Sequence, residues 1–176
     1  IFDDLTLKNT HYALIFNKDK KTKNPTVRIH SSCLTGDLMG SQKCDCGYQL
    51  ETALDYMSKS KKMNILIYLN QEGRGLGIHN KIISYNIQEK GWDTYQADNI
   101  LGFSGDERDY KAAAEILKFF KVKKLNLITN NPDKVEYLKK NKITVNKMIK
   151  IKPGVNPHNK KYLETKKIIG KHLLNL

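Results

Sequence analysis

Long apolar runs are missing from this chain of 176 residues. None approaches the ~20 residues that a membrane-spanning helix needs, and the opening IFDDLTLKNT lacks the basic-then-apolar layout of a secretory signal. A soluble, cytoplasmic protein is expected. Because the first residue is Ile1 rather than Met, missing upstream residues or a fused N-terminal partner enter the expectation too. Acidic residues are also scarce, with 18 Asp and Glu against 31 Lys and Arg and a formal charge of +13. That balance points to an anionic partner such as a nucleotide, nucleic acid or phospholipid. The lysines are nevertheless scattered through NKDKKTK, KSKK, KFFKVKK and LKKNK, where turns and helix ends are expected. This is the pattern of a solvated surface, and nucleic acid is not the expected partner. Cysteine is scarcest of the three. Its 3 copies fall within a short window, and an odd number closes no disulfide set. Without a secretory signal, such clustering favours metal binding.

What is present reads as alternating strands and helices. HYALIFN (11–17) and PTVRIHS (25–31) predict strands joined as a hairpin by a lysine-rich loop. Leu50, Ala53, Leu54 and Met57 recur at helical spacing and predict a helix over 47–60. MNILIYLN (63–70) predicts an interior strand. The turn EGRGLG then leads into a helix with Ile78, Ile82 and Tyr85 on its inner face. A further helix is predicted from about Glu107 to Phe120, with Ala113, Ile116, Leu117 and Phe120 on its apolar side. LNLITN (125–130) and ITVNKMI (143–149) bracket a helix that Asn131 caps and Pro132 opens. After the loop KPGVNPHNKKY a short terminal helix follows. The expected fold is therefore α/β, a single domain with a mixed sheet flanked by helices.

Four segments carry candidate chemistry. Cys33, Cys44 and Cys46, spaced C-x10-C-x-C, supply three soft thiolates and no fourth cysteine. A zinc held by three protein ligands keeps a position open for water and lowers the pKa of that water to ~7. A fourth ligand from His30 would instead close a structural site, and simple buried thiols are the remaining reading. In IYLNQEGRGLGIHNKI a glycine-rich turn stands between strand and helix, where backbone N–H groups receive an anion, although Ile78 breaks the dinucleotide G-x-G-x-x-G pattern. FSGDERDY combines Asp106, Glu107, Arg108 and Asp109, offering a carboxylate for proton transfer and an arginine for phosphate chemistry, while Ser104 and Glu107 also satisfy a capping box. In TNNPDK, Thr129 and Lys134 are placed to converge on an anion, or else the segment is an Asn-Pro helix start with a surface lysine.

Together, RIHSSCLTGDLMGSQKCDCGYQL, NQEGRGLGIHNKI, GWDTYQADNILGFSGDERDY and LITNNPDKV resemble the successive signatures of the GTP cyclohydrolase II family, in order, from about Val27 to the terminal HLL. The resemblance implies opening of the guanine imidazole ring of GTP by metal-activated water at C8. Formate and pyrophosphate leave, giving 2,5-diamino-6-ribosylamino-4(3H)-pyrimidinone 5′-phosphate, the first intermediate of riboflavin synthesis. It also implies zinc on Cys33, Cys44 and Cys46, magnesium with the GTP phosphates, and a homodimer. By the same carry-over Arg28, Ile29, His30, Ser31, Ser32, Gln49, Glu72, Gly73, Arg74, Thr94, Thr129 and Lys134 line the nucleotide site, with Glu72 accepting from the guanine edge. Asp106 falls at the proton-acceptor position, Tyr85 near the reacting base, and Arg108 at the residue proposed to attack the α-phosphate. Because guanidinium is delocalised and its pKa exceeds ~12, electrostatic stabilisation accounts for Arg108 equally well.

Some positions depart from the family pattern. Ser32 stands where many members carry Glu, His79 where an apolar residue is common, and Asn70 where Arg is frequent. GKHLL replaces the commoner GHLL ending and is expected to touch no catalytic residue. Ser32 motivates one alternative, a specialised paralogue releasing a formamidopyrimidine product. The charge motivates another, a zinc-stabilised nucleic-acid-binding module.

Overall fold

Apolar strands and amphipathic helices assemble into a six-stranded mixed sheet of order β1-β2-β4-β3-β5-β6. The strands are β1 (Phe2–Asp4), β2 (Asn9–Phe16), β3 (Thr26–Ser31), β4 (Asn64–Leu69), β5 (Lys124–Ile128) and β6 (Thr144–Ile149). This computed structural model describes residues 1–5, 8–20, 22–104 and 106–176. Thr6 and Leu7 of the opening segment, Lys21 of the expected lysine-rich loop and Gly105 of FSGDERDY lie outside the described residues.

The expected β2–β3 hairpin is not formed. β4 lies between these strands, antiparallel to β2 with Tyr12 opposite Tyr68, and parallel to β3 with Ile29 opposite Ile67. The reason is burial. NILIYL of β4 is apolar toward both faces and belongs at the sheet centre, and a parallel β3–β4 pair needs a crossover, which helix α2 (Cys46–Lys59) provides. β5 then adds to the other side of β3 and β6 to β5, both parallel.

Alternation along β3 and β4 assigns the two faces. Val27, Ile29, Ile65, Ile67 and Leu69 pack against Ala113, Ala114, Ile116 and Leu117 of helix α5 (Lys111–Phe119) and Leu138 of helix α6 (Pro132–Lys140). Each such large side chain contributes about 1.5–3 kcal/mol by leaving water. On the opposite face Ala53 and Met57 of α2 cover Leu66, Ile128 and Ile151. Arg28 and His30 share that second face, polar and almost fully buried, where an ordinary core would continue.

The helix after EGRGLG, α3 (Gly77–Glu89), departs from its expected inner face, because Ile78 and Ile82 are 37% and 45% exposed. It leans over a cleft rather than the sheet, and turns Lys81, Ser84, Tyr85 and Gln88 inward at helical spacing. The expected helix from Glu107 begins only at Lys111. Residues 107–109 stay outside the helix and are tied to the EGRG turn, with Glu107 N–H donating to the Arg74 carbonyl at 3.0 Å and Asp109 N–H to Gln71 Oε1 at 3.2 Å. Ser104 does bond Glu107, as its N–H donates to Oε1 at 3.0 Å, but no helix follows there. A capping box instead opens helix α4 (Thr94–Ile100), where Asp93 and Gln96 reciprocate. The terminal helix, α7, spans Lys160–Ile168. No helix among the described residues is long and apolar enough to cross a membrane.

Candidate active site

β3, β4 and β5 run parallel, so the segments leaving their carboxyl ends meet on one side of the sheet: Ser32–Cys33, Gln71–Arg74 and Thr129–Asn131. This is where open α/β sheets bind ligands. A solvent-open cleft of about 1120 Å³ lies there, bounded by these segments, α3, and Tyr162 and Lys166 of α7.

One end of the cleft holds the thiols. Cys33 immediately precedes the short helix α1 (Leu34–Asp37), and Cys46 opens α2. The two loops approach so closely that a Cβ on Gly47 would lie 2.3 Å from the Gly36 carbonyl oxygen, and one on Gly36 would lie 3.0 Å from both Cys33 and Cys44 Sγ. Glycine at both positions is what lets the cysteines converge. All three sulfurs lie within 4.8 Å of one another, with Cys33 and Cys44 Sγ 3.7 Å apart. Tetrahedral zinc with Zn–S bonds of ~2.3 Å requires thiolates ~3.8 Å apart, so the donor set and its spacing fit zinc. Cys33 is held as thiolate by hydrogen bonds from Cys44 and Cys46, and Lys81 Nζ adds a contact at 3.0 Å. Hydrogen bonding to Cys33 pushes the Cys44 thiol up to about 11, a proton that a divalent cation would displace. His30 is not a fourth ligand. Its Nε2 contacts Asp37 Oδ2 at 3.1 Å and its Nδ1 lies 3.4 Å from the Arg28 guanidinium. Asp37 also accepts from Cys33 N–H at 3.0 Å and Tyr68 OH at 2.9 Å, fixing the turn that presents the first thiol.

The other end gathers basic side chains. Arg28 donates to Gln49 Oε1 at 2.8 Å, and its Nε has no hydrogen-bond partner despite burial. Lys134, 5% exposed, donates to the Ile29 carbonyl at 2.8 Å. Arg108 grips Asp106 through Nε at 2.8 Å and through a second, shorter bond from NH2. Burial pushes the Asp106 carboxyl up, but Arg108 outweighs it and holds the group below its ordinary range. Arg108 in turn is raised, because Asp106 overcomes the cost of burial. Lys134 is lowered far below an ordinary lysine, first by burial and then by Arg28, Arg108 and Lys166. The folded state thus binds fewer protons than the unfolded chain between that depressed value and the unfolded lysine value of ~10.4, and stability climbs with pH across this window. Thermal melts from pH 7 to 9 should therefore rise more steeply for the native chain than for Lys134→Met. Parallel profiles would contradict the assignment.

Between the two ends stand Glu72, Arg74 and Tyr85. Glu72 Oε1 accepts from Gly73 N–H and from Lys81 Nζ, both at 2.8 Å, and Oε2 from Leu34 N–H at 2.5 Å. Arg74 adopts a left-handed backbone (φ 60°), stacks 4.3 Å from the Tyr95 ring centroid and pairs with buried Asp98 at 3.2 Å. Gly75 allows the Asp106–Arg108 segment to approach, since a Cβ there would meet the Glu107 carbonyl oxygen at 2.9 Å. Tyr85 OH lies 3.3 Å from Thr35 Oγ1, and burial raises its pKa, so it stays protonated at neutral pH.

The sequence profile of GTP cyclohydrolase II matches residues 1–150. The GTP cyclohydrolase-2 of Psychromonas ingrahamii is 48% identical over 166 residues, 94% of this chain and 82% of the relative. That of Helicobacter pylori strain P12 is 50% identical over 154 residues, covering 87% and 78%. That of Aliivibrio fischeri is 43% identical over 175 residues, covering 99% and 86%. This chain belongs to the GTP cyclohydrolase II family.

Of the residues that the resemblance to GTP cyclohydrolase II nominates, the cleft gathers Arg28, His30, Ser31, Ser32, Cys33, Cys44, Cys46, Gln49, Glu72, Gly73, Arg74, Tyr85, Thr94, Arg108, Thr129 and Lys134. Two stand apart. Ile29 is fully buried in the core, so only its carbonyl reaches the site, through Lys134. Asp106 lines a neighbouring hollow with Arg108, Tyr110 and Asp133, and is hydrogen-bonded to the main cleft through Arg108. Ser32 Oγ accepts from Gln71 N–H at 3.1 Å, tying the ends of β3 and β4 together. Residues the sequence reading passed over also line the cleft: Lys81, Asp98, Tyr162, Lys166 and His172. The polar stripe of Lys81, Ser84, Tyr85 and Gln88 at i, i+3, i+4, i+7 was a usable signal for the first. Nothing local marks Tyr162, Lys166 or His172, and the GKHLL ending, expected to touch no catalytic residue, places His172 in the same cleft as Arg108.

Proposed function

We propose that this chain is a GTP cyclohydrolase II, a hydrolase that opens the imidazole ring of GTP and releases formate and pyrophosphate. The product would be 2,5-diamino-6-ribosylamino-4(3H)-pyrimidinone 5′-phosphate, at the entry to riboflavin biosynthesis in the cytoplasm, made by a homodimer. The observation that carries this reading is the pairing of three converging thiols with Arg28, Arg108 and Lys134 across one cleft, a distribution suited to a substrate with a reactive base and an anionic tail.

Cys33, Cys44 and Cys46 would hold zinc, which supplies a Lewis acid and an activated water when bound. Magnesium would accompany the phosphates. Glu72 uses three acceptor sites on protein donors and keeps one for a guanine N–H, so it both steadies the Cys33 turn and reads the base. Tyr85, protonated, donates toward the opening ring, and Thr35 holds its hydroxyl in place. Asp106 accepts a proton only once Arg108 is drawn toward phosphate, because the paired carboxylate is a weak base. Arg108, a permanent cation with Nε and one terminal nitrogen engaged by Asp106, serves as an electrostatic clamp on the departing pyrophosphate rather than as a nucleophile.

Incubating the protein with GTP, zinc and magnesium should yield formate, pyrophosphate and the pyrimidine monophosphate in equal amounts, by mass spectrometry of the nucleotide product. A product that retains the formyl group would replace this reading with the specialised paralogue that Ser32 suggests.

A further inference from the structure

The family match ends at residue 150, yet the last stretch of chain walls the cleft. Helix α7 is anchored by Leu163, fully buried, and turns Tyr162 and Lys166, one helical turn apart, onto the cleft. The tail beyond it is pinned by Leu173 N–H donating to the Asn130 carbonyl at 2.9 Å and by burial of Leu174. This attachment is to the Thr129–Asn131 segment, which leads into α6, the helix that carries Lys134. His172 sits between the two anchors, 8% exposed.

Resting on the reading of GTP as substrate, we propose that Lys166 and His172 are polyphosphate ligands, completing with Arg28, Arg108 and Lys134 a subsite that the C-terminal segment closes from one side. Lys166 is suited to this by what it lacks. Its ion pair with Asp45 Oδ1 is 3.6 Å long, beyond a hydrogen bond, although its side chain is only 13% exposed. Asp45 Oδ1 is itself buried without a hydrogen-bond partner, so the aspartate holds the ammonium near the cleft without occupying its donors. Tyr162 supports the same ammonium, its ring centroid 5.6 Å from Nζ.

His172 adds a proton-linked contact. Its Nδ1 lies 2.7 Å from the Gly170 carbonyl, which can only accept, so Nδ1 carries the hydrogen and Nε2 holds a lone pair in the uncharged ring. Burial first, and then Lys166, Arg108 and Lys134 around it, hold the imidazole down at about 3. An arriving polyphosphate reverses the sign of that field. A phosphate oxygen is repelled by the bare Nε2 lone pair and attracted by an Nε2–H, so binding draws a proton from solvent onto Nε2.

Calorimetry with inorganic tripolyphosphate tests this without turnover, at ~0.15 M salt to screen the surface lysines. Native protein should bind with net proton uptake at pH 7.5, read from two buffers of different ionisation enthalpy. Lys166→Met should weaken binding by about tenfold or more, and Lys166→Arg should restore it to within about threefold. His172→Asn should bind with clearly less proton uptake than native protein, what remains going to Lys134, whose ammonium form the polyphosphate also favours. In steady state with GTP, Lys166→Met should raise KM by a similar factor with kcat changed by less than about threefold, while inhibition by guanosine stays unaltered. Unchanged tripolyphosphate affinity in Lys166→Met, equal losses for guanosine and tripolyphosphate, or undiminished proton uptake in His172→Asn would overturn the proposal. A native protein that binds tripolyphosphate in this manner but leaves GTP untouched would overturn the GTP reading alone.

Discussion

Replacing Cys44 with serine is expected to remove bound zinc and abolish formate release, a loss of at least about 10³-fold, while most of the fold remains. The size follows from the number of ligands. With only three thiols in the cluster, losing one leaves two, and a serine hydroxyl is a poor donor to a borderline-soft ion. The survival of the fold follows from where the sulfurs sit. Neither core cluster contains Cys44, and Gly36, Gly47, Asp37 and the start of α2 hold the loops together by backbone contacts and hydrogen bonds. Circular dichroism and metal analysis of one preparation check both halves. Global unfolding of Cys44→Ser would mean that the metal is structural.

Arg108 carries the second large effect. Arg108→Met should lower kcat by about 10²–10³-fold, since it removes a cation from the phosphate end and frees Asp106 beside the hollow formed with Tyr110 and Asp133. Arg108→Lys keeps the charge but loses the planar fork that engages both Asp106 oxygens, and should recover part of that loss, with activity between the two. Were Arg108 the nucleophile, lysine at 108 would trap a phosphoramidate with the nucleotide, visible as added mass on the protein. The electrostatic account predicts no such adduct.

Much of this arrangement was legible from residue spacing. The 3.6-residue period of Ala53 and Met57 marked α2, and the Asn131–Pro132 start of α6 is realised, with Asn131 Oδ1 accepting from Asp133 N–H at 2.9 Å. The illegible parts share a physical cause, dependence on partners distant in sequence. A hairpin between β2 and β3 is the default for neighbouring strands, and nothing within either announces that β4 intervenes. Ile78 and Ile82 fit an inward stripe by period, but helix orientation is set by the cleft-facing Lys81, Ser84 and Tyr85. Arg28 and His30 alternate with Val27 and Ile29 as a half-exposed strand would, and only the sheet reveals that both faces are covered. His172 and Lys166 reach the site from the far end of the chain, through Asn130 and Asp45.

The glycines illustrate the same division. EGRG reads locally as a phosphate-binding turn, whereas Gly75 is required because the backbone at Glu107 packs against it. Gly36 and Gly47 carry no motif by themselves, yet their mutual approach closes the cysteine cluster.

If the three-cysteine cluster is the catalytic centre acting on GTP, metal and turnover must rise and fall together. Bound zinc and formate released from GTP can be measured on one sample, before chelation, after it, and after zinc is restored. One zinc per chain is expected, with formate release that disappears with the metal and recovery of both together. Formate release that persists in fully zinc-depleted protein, or a zinc-replete protein that releases none, would contradict it.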